Sequence, residues 1–284
     1  MTDTSEERFA FGANWQRFLA SVTPQRIEVA KQSLACMLDE PSLSGRRFLD
    51  IGCGSGLFSL AARELGAKVH SFDYDPQSVA CALELKRRFR TGDPDWTIEQ
   101  GSALDEGYLR TLGSFDVVYA WGVLHHTGNM WRALELAALP CAPEAKLFIA
   151  IYNDQGGASR RWRLVKQTYN RVPGWLRLPY VLTIAVPFEG ARFAVSLLRG
   201  RPQHYIHSWT RYADQSLRGM SRWTDLVDWI GGYPFEVAKP GEIFDFYRAG
   251  GFELLRMITC GGGLGCNQFV FKRTQLPARA MPET

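Results

Sequence analysis

Phe48-Leu49-Asp50-Ile51-Gly52-Cys53-Gly54-Ser55-Gly56-Leu57-Phe58-Ser59-Leu60 decides how this chain is read. A short apolar run ends in a carboxylate, three glycines follow at alternate positions, and a helix-like apolar pattern opens at once. Glycine at these places lets the backbone turn tightly and lets a ligand approach it without a Cβ in the way. The spacing is G-x-G-x-G, not the G-x-G-x-x-G of dinucleotide pyrophosphate sites. Alone, the stretch also fits a tight strand-to-helix turn with no ligand. Downstream, Ala67-Lys-Val-His-Ser-Phe-Asp73 is a second strand ending in a carboxylate, the place where doubly wound folds keep the acid that binds a ribose. Asp75-Pro76 just after it reads as a helix cap and first turn.

Outward from this pair the same rhythm continues. Apolar runs at Arg47–Ile51, Lys68–Phe72, Trp96–Glu99, Phe115–Ala120 and Ala145–Ile151 alternate with helix candidates at 57–65, 76–90 and 129–138. Buried-type strands alternating with helices predict a parallel sheet covered on both faces. Phe252–Thr259 and Asn267–Lys272, joined by a Gly-rich loop that includes Gly261 and Gly265, read as two antiparallel strands. The fold class is therefore α/β: a doubly wound, Rossmann-like seven-stranded sheet, mostly parallel with the last strand antiparallel, with N-terminal helices and a helical insertion after the fifth strand. Its expected parts are an N-terminal helical cap (1–45, with Thr23-Pro24 as a start signal), a cofactor-binding core (46–154), an insertion (155–235) and the end of the sheet with a tail (236–284).

The 284 residues are 46% hydrophobic and 22% charged, values that exclude a disordered chain. Six scattered cysteines without a CxxC pair suggest neither a zinc site nor a disulfide framework. Met1–Trp15 is polar and acidic rather than basic-then-apolar, and no uncharged apolar run has the length of a membrane span. A cytoplasmic protein with reduced thiols is expected.

Asp50–Gly56, Asp73, Gly101-Ser102-Ala103-Leu104-Asp105 and Phe115-Asp116-Val117-Val118 stand in the order and spacing of the class I S-adenosylmethionine-dependent methyltransferases. The chain resembles most closely their small-molecule branch, which includes the ubiquinone-biosynthesis O-methyltransferases. The resemblance covers residues 46–151 well, the two terminal strands loosely and the insertion hardly at all. It implies S-adenosyl-L-methionine as cofactor. Asp50 would hold the methionine amino group, the turn of Gly52, Gly54 and Gly56 would pack on the methionine part, and Asp73 would take both ribose hydroxyls with Tyr74 beside it. Ser102 and Ala103 would border the adenine. The carboxylate pair that binds metal near the fourth strand of the ubiquinone enzymes is missing, because Gly122-Val-Leu-His125-His126 stands there. No metal is expected.

A sulfonium methyl is already activated, so the protein mainly aligns an in-line attack and lets the acceptor lose a proton. His125 and His126, at the end of the fourth strand, are the candidate bases, with His125 placed first; the plain alternative is a helix cap or a bond to a carbonyl. Trp121 and Gly122 would line the methionine end, where an aromatic ring attracts a cation, although Trp121 also suits an ordinary core position. Tyr152 and Asn153, at the end of the fifth strand, and Tyr233, on the return from the insertion, are candidates for catalysis and the substrate pocket.

Residues 155–225 carry twelve Lys and Arg against three Asp and Glu, a net +9 hidden inside a chain of +4. Between the arginines lies an apolar stretch, 174–199, that includes Pro179, Pro187 and four charged residues, which argue against a span. Three readings stand: docking on an anionic membrane or lidding a lipid-like substrate, a self-buried helical subdomain (homodimer included), and RNA contact. The first is preferred, with location at the inner face of the membrane and no nucleic-acid partner. Other chemistries that use the same cofactor, cyclisation or aminocarboxypropyl transfer, are the alternative to methyl transfer.

Overall fold

The computed structural model describes Phe9, Leu19 and residues 22–210, 212 and 222–274. In chain order its elements are α1 (Pro24–Leu38), β1 (Arg47–Ile51), α2 (Leu57–Glu64), β2 (Lys68–Asp73), α3 (Pro76–Phe89), β3 (Trp96–Gln100), α4 (Glu106–Thr111), β4 (Phe115–Trp121), α5 (Met130–Ala137) and β5 (Cys141–Tyr152). They continue with α6 (Gly157–Arg171), α7 (Gly174–Leu198), α8 (Pro202–Thr210), α9 (Arg222–Gly231), α10 (Pro240–Ala249), β6 (Phe252–Ile258) and β7 (Cys266–Arg273).

The seven strands lie in the order β3-β2-β1-β4-β5-β7-β6. β1 to β5 are parallel, and β7 runs antiparallel to both β5 and β6. Strand residues alternate between two cores because successive side chains point to opposite faces. Phe48, Val117, Tyr119 and Phe148 pack with α1–α3, whereas Leu49, Val118, Ala120 and Ile149 pack with α5 and α10. Thr23 and Asp75 cap their helices as read from the sequence, and Asp105 does the same for α4; each accepts a backbone N–H of the first turn.

Between β5 and α10 the described residues form helices and no named strand. α6, α7 and α9 share a separate small core of Tyr169, Val181, Ala185 and Ile230. α7 departs from the expectation that its prolines and charges argue against a span. It is one continuous helix through Pro179 and Pro187, and by length and composition alone, at mean hydropathy 1.6, it could cross a membrane. One narrow stripe faces the protein. Val181 and Ala185 are buried there, and Glu189 accepts two hydrogen bonds from the Arg222 guanidinium, both at 2.8 Å.

Candidate active site

Strand order reverses between β1 and β4, and a doubly wound sheet opens a crevice there, beyond the carboxyl ends of its strands. The cleft is lined by Asp50, Gly52 and Gly54 from β1 and its turn, Asp73 and Tyr74 from β2, and Ser102 and Ala103 after β3. Trp121, Gly122 and His126 from the end of β4, with Phe9 and Tyr233, close it.

The Gly turn is sewn to the end of β2. Gly52 and Cys53 N–H groups donate to the Phe72 carbonyl at 2.8 and 3.0 Å. Asp73 accepts from Gly54 N on one oxygen and from Asp75 N on the other, both at 2.9 Å, which fixes its carboxylate plane in the cleft. Gly52 has φ +69°, and a Cβ there would fall 2.4 Å from the Val123 side chain, so only glycine fits. Gly56 stands elsewhere than the resemblance implies. It is not among the cleft-lining residues; its φ of +79° opens α2, and a Cβ would press on Ala82 at 3.0 Å.

Asp50 is buried and takes a 2.5 Å hydrogen bond from Ser59. Burial pushes its carboxyl up to about 7, the Ser59 hydroxyl opposes that, and the charge of Asp73 adds to it. Burial likewise raises Asp73 to about 6, against the donations from Asp75 and Gly54. Two desolvated carboxylates on one cleft suit a ligand that brings positive charge and hydroxyl donors. S-adenosylmethionine, with its ammonium, sulfonium and ribose, fits that donor set.

The histidines separate. His126 lines the cleft, and its Nδ1 faces the Pro234 carbonyl at 2.6 Å. A carbonyl only accepts, so Nδ1 carries a proton, and whenever the ring is neutral its lone pair is on Nε2. His125, placed first from the sequence, is fully buried outside the cleft, its ring 4.0 Å from that of Tyr152. Adjacent residues of the tight turn Leu124–His126 project in different directions, which reverses the preference. Trp121 lines the cleft while its indole donates to Gln268 at 3.2 Å. Tyr152 does not reach the cleft; it packs on Phe235 and Trp229 in the joint between sheet and insertion. Asn153 is likewise away from it, accepting from Asn267 at 3.1 Å and donating to Gly263 at 3.3 Å.

The sequence reading missed several groups. Phe9 and Thr127 line the cleft. Glu236 accepts from Met130 N with both oxygens, at 3.1 and 3.0 Å, and so ties the segment before α10 to the start of α5. Lys166 is fully buried among Trp229 and Phe235, its ammonium 4.7 and 4.8 Å from their ring centres, and donates to the Trp229 carbonyl. Burial pulls its pKa down to about 7. A lone lysine in a polar helix gave no signal of this.

Residues 22–195 match the family model for a methyltransferase domain. The chain belongs to that methyltransferase family. Its donor is S-adenosylmethionine, and the carboxylate pair just described fits it. The methyltransferase is 26% identical over 214 residues to the ubiquinone biosynthesis O-methyltransferase of Xanthomonas oryzae pv. oryzae, covering 72% of this chain and 74% of that one. Its fold is also that of the magnesium protoporphyrin IX methyltransferase of Synechocystis PCC 6803, solved with bound SAH, at TM-score 0.53 and 14% identity over 93% of this chain and 94% of that one. The cyclase SpnF shares the fold at TM-score 0.51 and 12% identity, over 86% and 80% of the two chains.

Proposed function

We propose that this methyltransferase methylates an oxygen of a small or lipophilic metabolite and that His126 receives the proton the acceptor loses. The observation that carries this is the position of His126: on the cleft, at the end of β4, with Nδ1 committed to Pro234 and Nε2 as the basic nitrogen. The bound cofactor supplies a methyl group already activated on a sulfonium. Asp73 would hold the ribose and Asp50 the amino group, and Trp121 would present a π face to the cation. Tyr233 and Phe9 would shield the acceptor from water. The O-methyltransferase relative supports oxygen as the acceptor atom. Incubation with methyl-labelled S-adenosylmethionine and cell extract tests the reading. Label is expected in the organic-extractable pool; label in RNA or protein would overturn it.

A second part of the proposal concerns where the enzyme works. Trp175, Leu178, Leu182, Val186, Phe193 and Leu197 are spread along α7 and all exposed, Trp175 at 77% and Val186 at 62%. Within 155–210 the single acidic residue, Glu189, is tied to Arg222 and reached by Arg192 at 3.9 Å, while Arg160, Arg161, Arg177, Arg192, Arg199 and Arg201 are exposed. An apolar surface rimmed by exposed arginine suits the interface of an anionic bilayer, at its cytoplasmic face. The methyltransferase should co-sediment with phosphatidylglycerol vesicles and not with phosphatidylcholine ones. A stable homodimer that masks this surface and leaves both vesicle types untouched would replace this reading.

A further inference from the structure

Behind Asp50 runs a line of buried polar groups that the cleft itself does not need. The Trp96 indole N–H donates to Ser71 Oγ at 3.0 Å, Ser71 Oγ donates to Ser59 Oγ at 2.8 Å, and Ser59 Oγ donates to Asp50 Oδ2 at 2.5 Å. All four side chains are at most 2% exposed, so bulk water does not take over any of these bonds. They come from four separate elements: β3, β2, α2 and β1.

The chain has a fixed polarity. An indole N–H can only donate, so Ser71 must accept from it and has one proton left to give. That proton goes to Ser59, whose own proton then goes to Asp50. The line ends on Asp50, and an ionised carboxylate accepts this last proton more strongly than a neutral carboxyl does. A protonated Asp50 would add a proton with no place in the line on that side. A helical serine left to itself has another choice, since its hydroxyl can turn back to the carbonyl one turn earlier. The bond from Ser71 holds Ser59 away from that alternative.

We infer that Trp96, Ser71 and Ser59 are positioning residues: a buried donor relay that holds Asp50 in one orientation, as an acceptor and counter-ion for the amino group of the cofactor's methionine part. This rests on the assignment of the cleft to S-adenosylmethionine, which the test separates from the relay itself. Ser59 and Ser71 are absent from the lining of the cleft. Two buried hydroxyls, one on α2 and one on β2, are thereby accounted for.

The test uses the full chain and two probes, S-adenosylhomocysteine, which carries the amino acid, and adenosine, which does not. Binding is measured by calorimetry from pH 6 to 9 for the wild type, Ser59→Ala and Ser71→Ala. Removal of a hydrogen bond to a charged group predicts a roughly tenfold weaker S-adenosylhomocysteine affinity at pH 7 for Ser59→Ala. Ser71→Ala, one bond further back, should lose less, in the same direction. In both, the pH at which affinity reaches half its plateau should move upward, while adenosine binds as to the wild type. Unchanged adenosine binding also shows that the variants fold. Equal losses for both probes, or a pH profile that does not move, would overturn the relay. A wild type that binds neither probe would overturn the cofactor assignment beneath it.

Discussion

Asp50 and Asp73 hold their protons more tightly than surface carboxylates do, and a bound cation with ribose hydroxyls must displace those protons. Their values of about 7 and about 6 set the sign of the pH dependence. S-adenosylhomocysteine affinity should climb as pH rises from 5 to 8 and level off above, as followed by calorimetry. Without ligand the effect on folding runs the other way. The folded chain keeps protons that the unfolded chain has already released, so these two groups lose stability for the fold as pH rises from the ordinary carboxylate range through their own values. Asp73→Asn keeps the shape but gives up charge-assisted acceptance from hydroxyls, which predicts a roughly 10–100-fold weaker affinity. At this scale the carboxylates were legible, since each closes an apolar strand. The choice between His125 and His126 was not. Neighbours in one short turn differ only in direction, and direction comes from Pro234, more than a hundred residues away in the chain.

Elements whose burial pattern repeats were legible as elements. β1 to β4 begin and end within a residue or two of their apolar runs, because the sheet is covered on both faces. β5 is longer than its apolar run: it starts at Cys141 and passes through Glu144 at φ +65°, an irregular start that polar residues conceal. α4, of six residues, is too short to show a helical period. In the insertion, the joint between α7 and α9 depends on Glu189 and Arg222, both largely buried. Removal of one partner strands the other charge, so Glu189→Ala should destabilise the insertion by about 3–5 kcal/mol. Hydrogen exchange should report the loss in α6, α7 and α9, while the sheet keeps its protection.

At the scale of the whole molecule, the doubly wound sheet followed from the order of strands and helices, and its ligand crevice from where that order reverses. The insertion was legible only as a basic, strandless segment. Periodicity could not show that α7 continues unbroken past two prolines, or which of its faces Tyr169 and Ile230 cover. Those facts come from packing between elements far apart in sequence. The apolar surface left outside leads to a prediction that separates membrane docking from catalysis. Val186→Glu should abolish co-sedimentation with anionic vesicles, while the melting temperature and S-adenosylhomocysteine affinity stay as in the wild type. A fall in all three together would place Val186 in the fold rather than on a docking face.

Methyl transfer from S-adenosylmethionine is measured most directly through its co-product. Purified protein, methyl-labelled cofactor and the organic fraction of a cell extract are combined, and mass spectrometry follows both the labelled product and the fate of the sulfonium. One S-adenosylhomocysteine for each methyl group gained is the expected result, at a rate that falls with Asp73→Asn. Methylthioadenosine, or turnover of another compound with the cofactor left intact, would contradict methyl transfer.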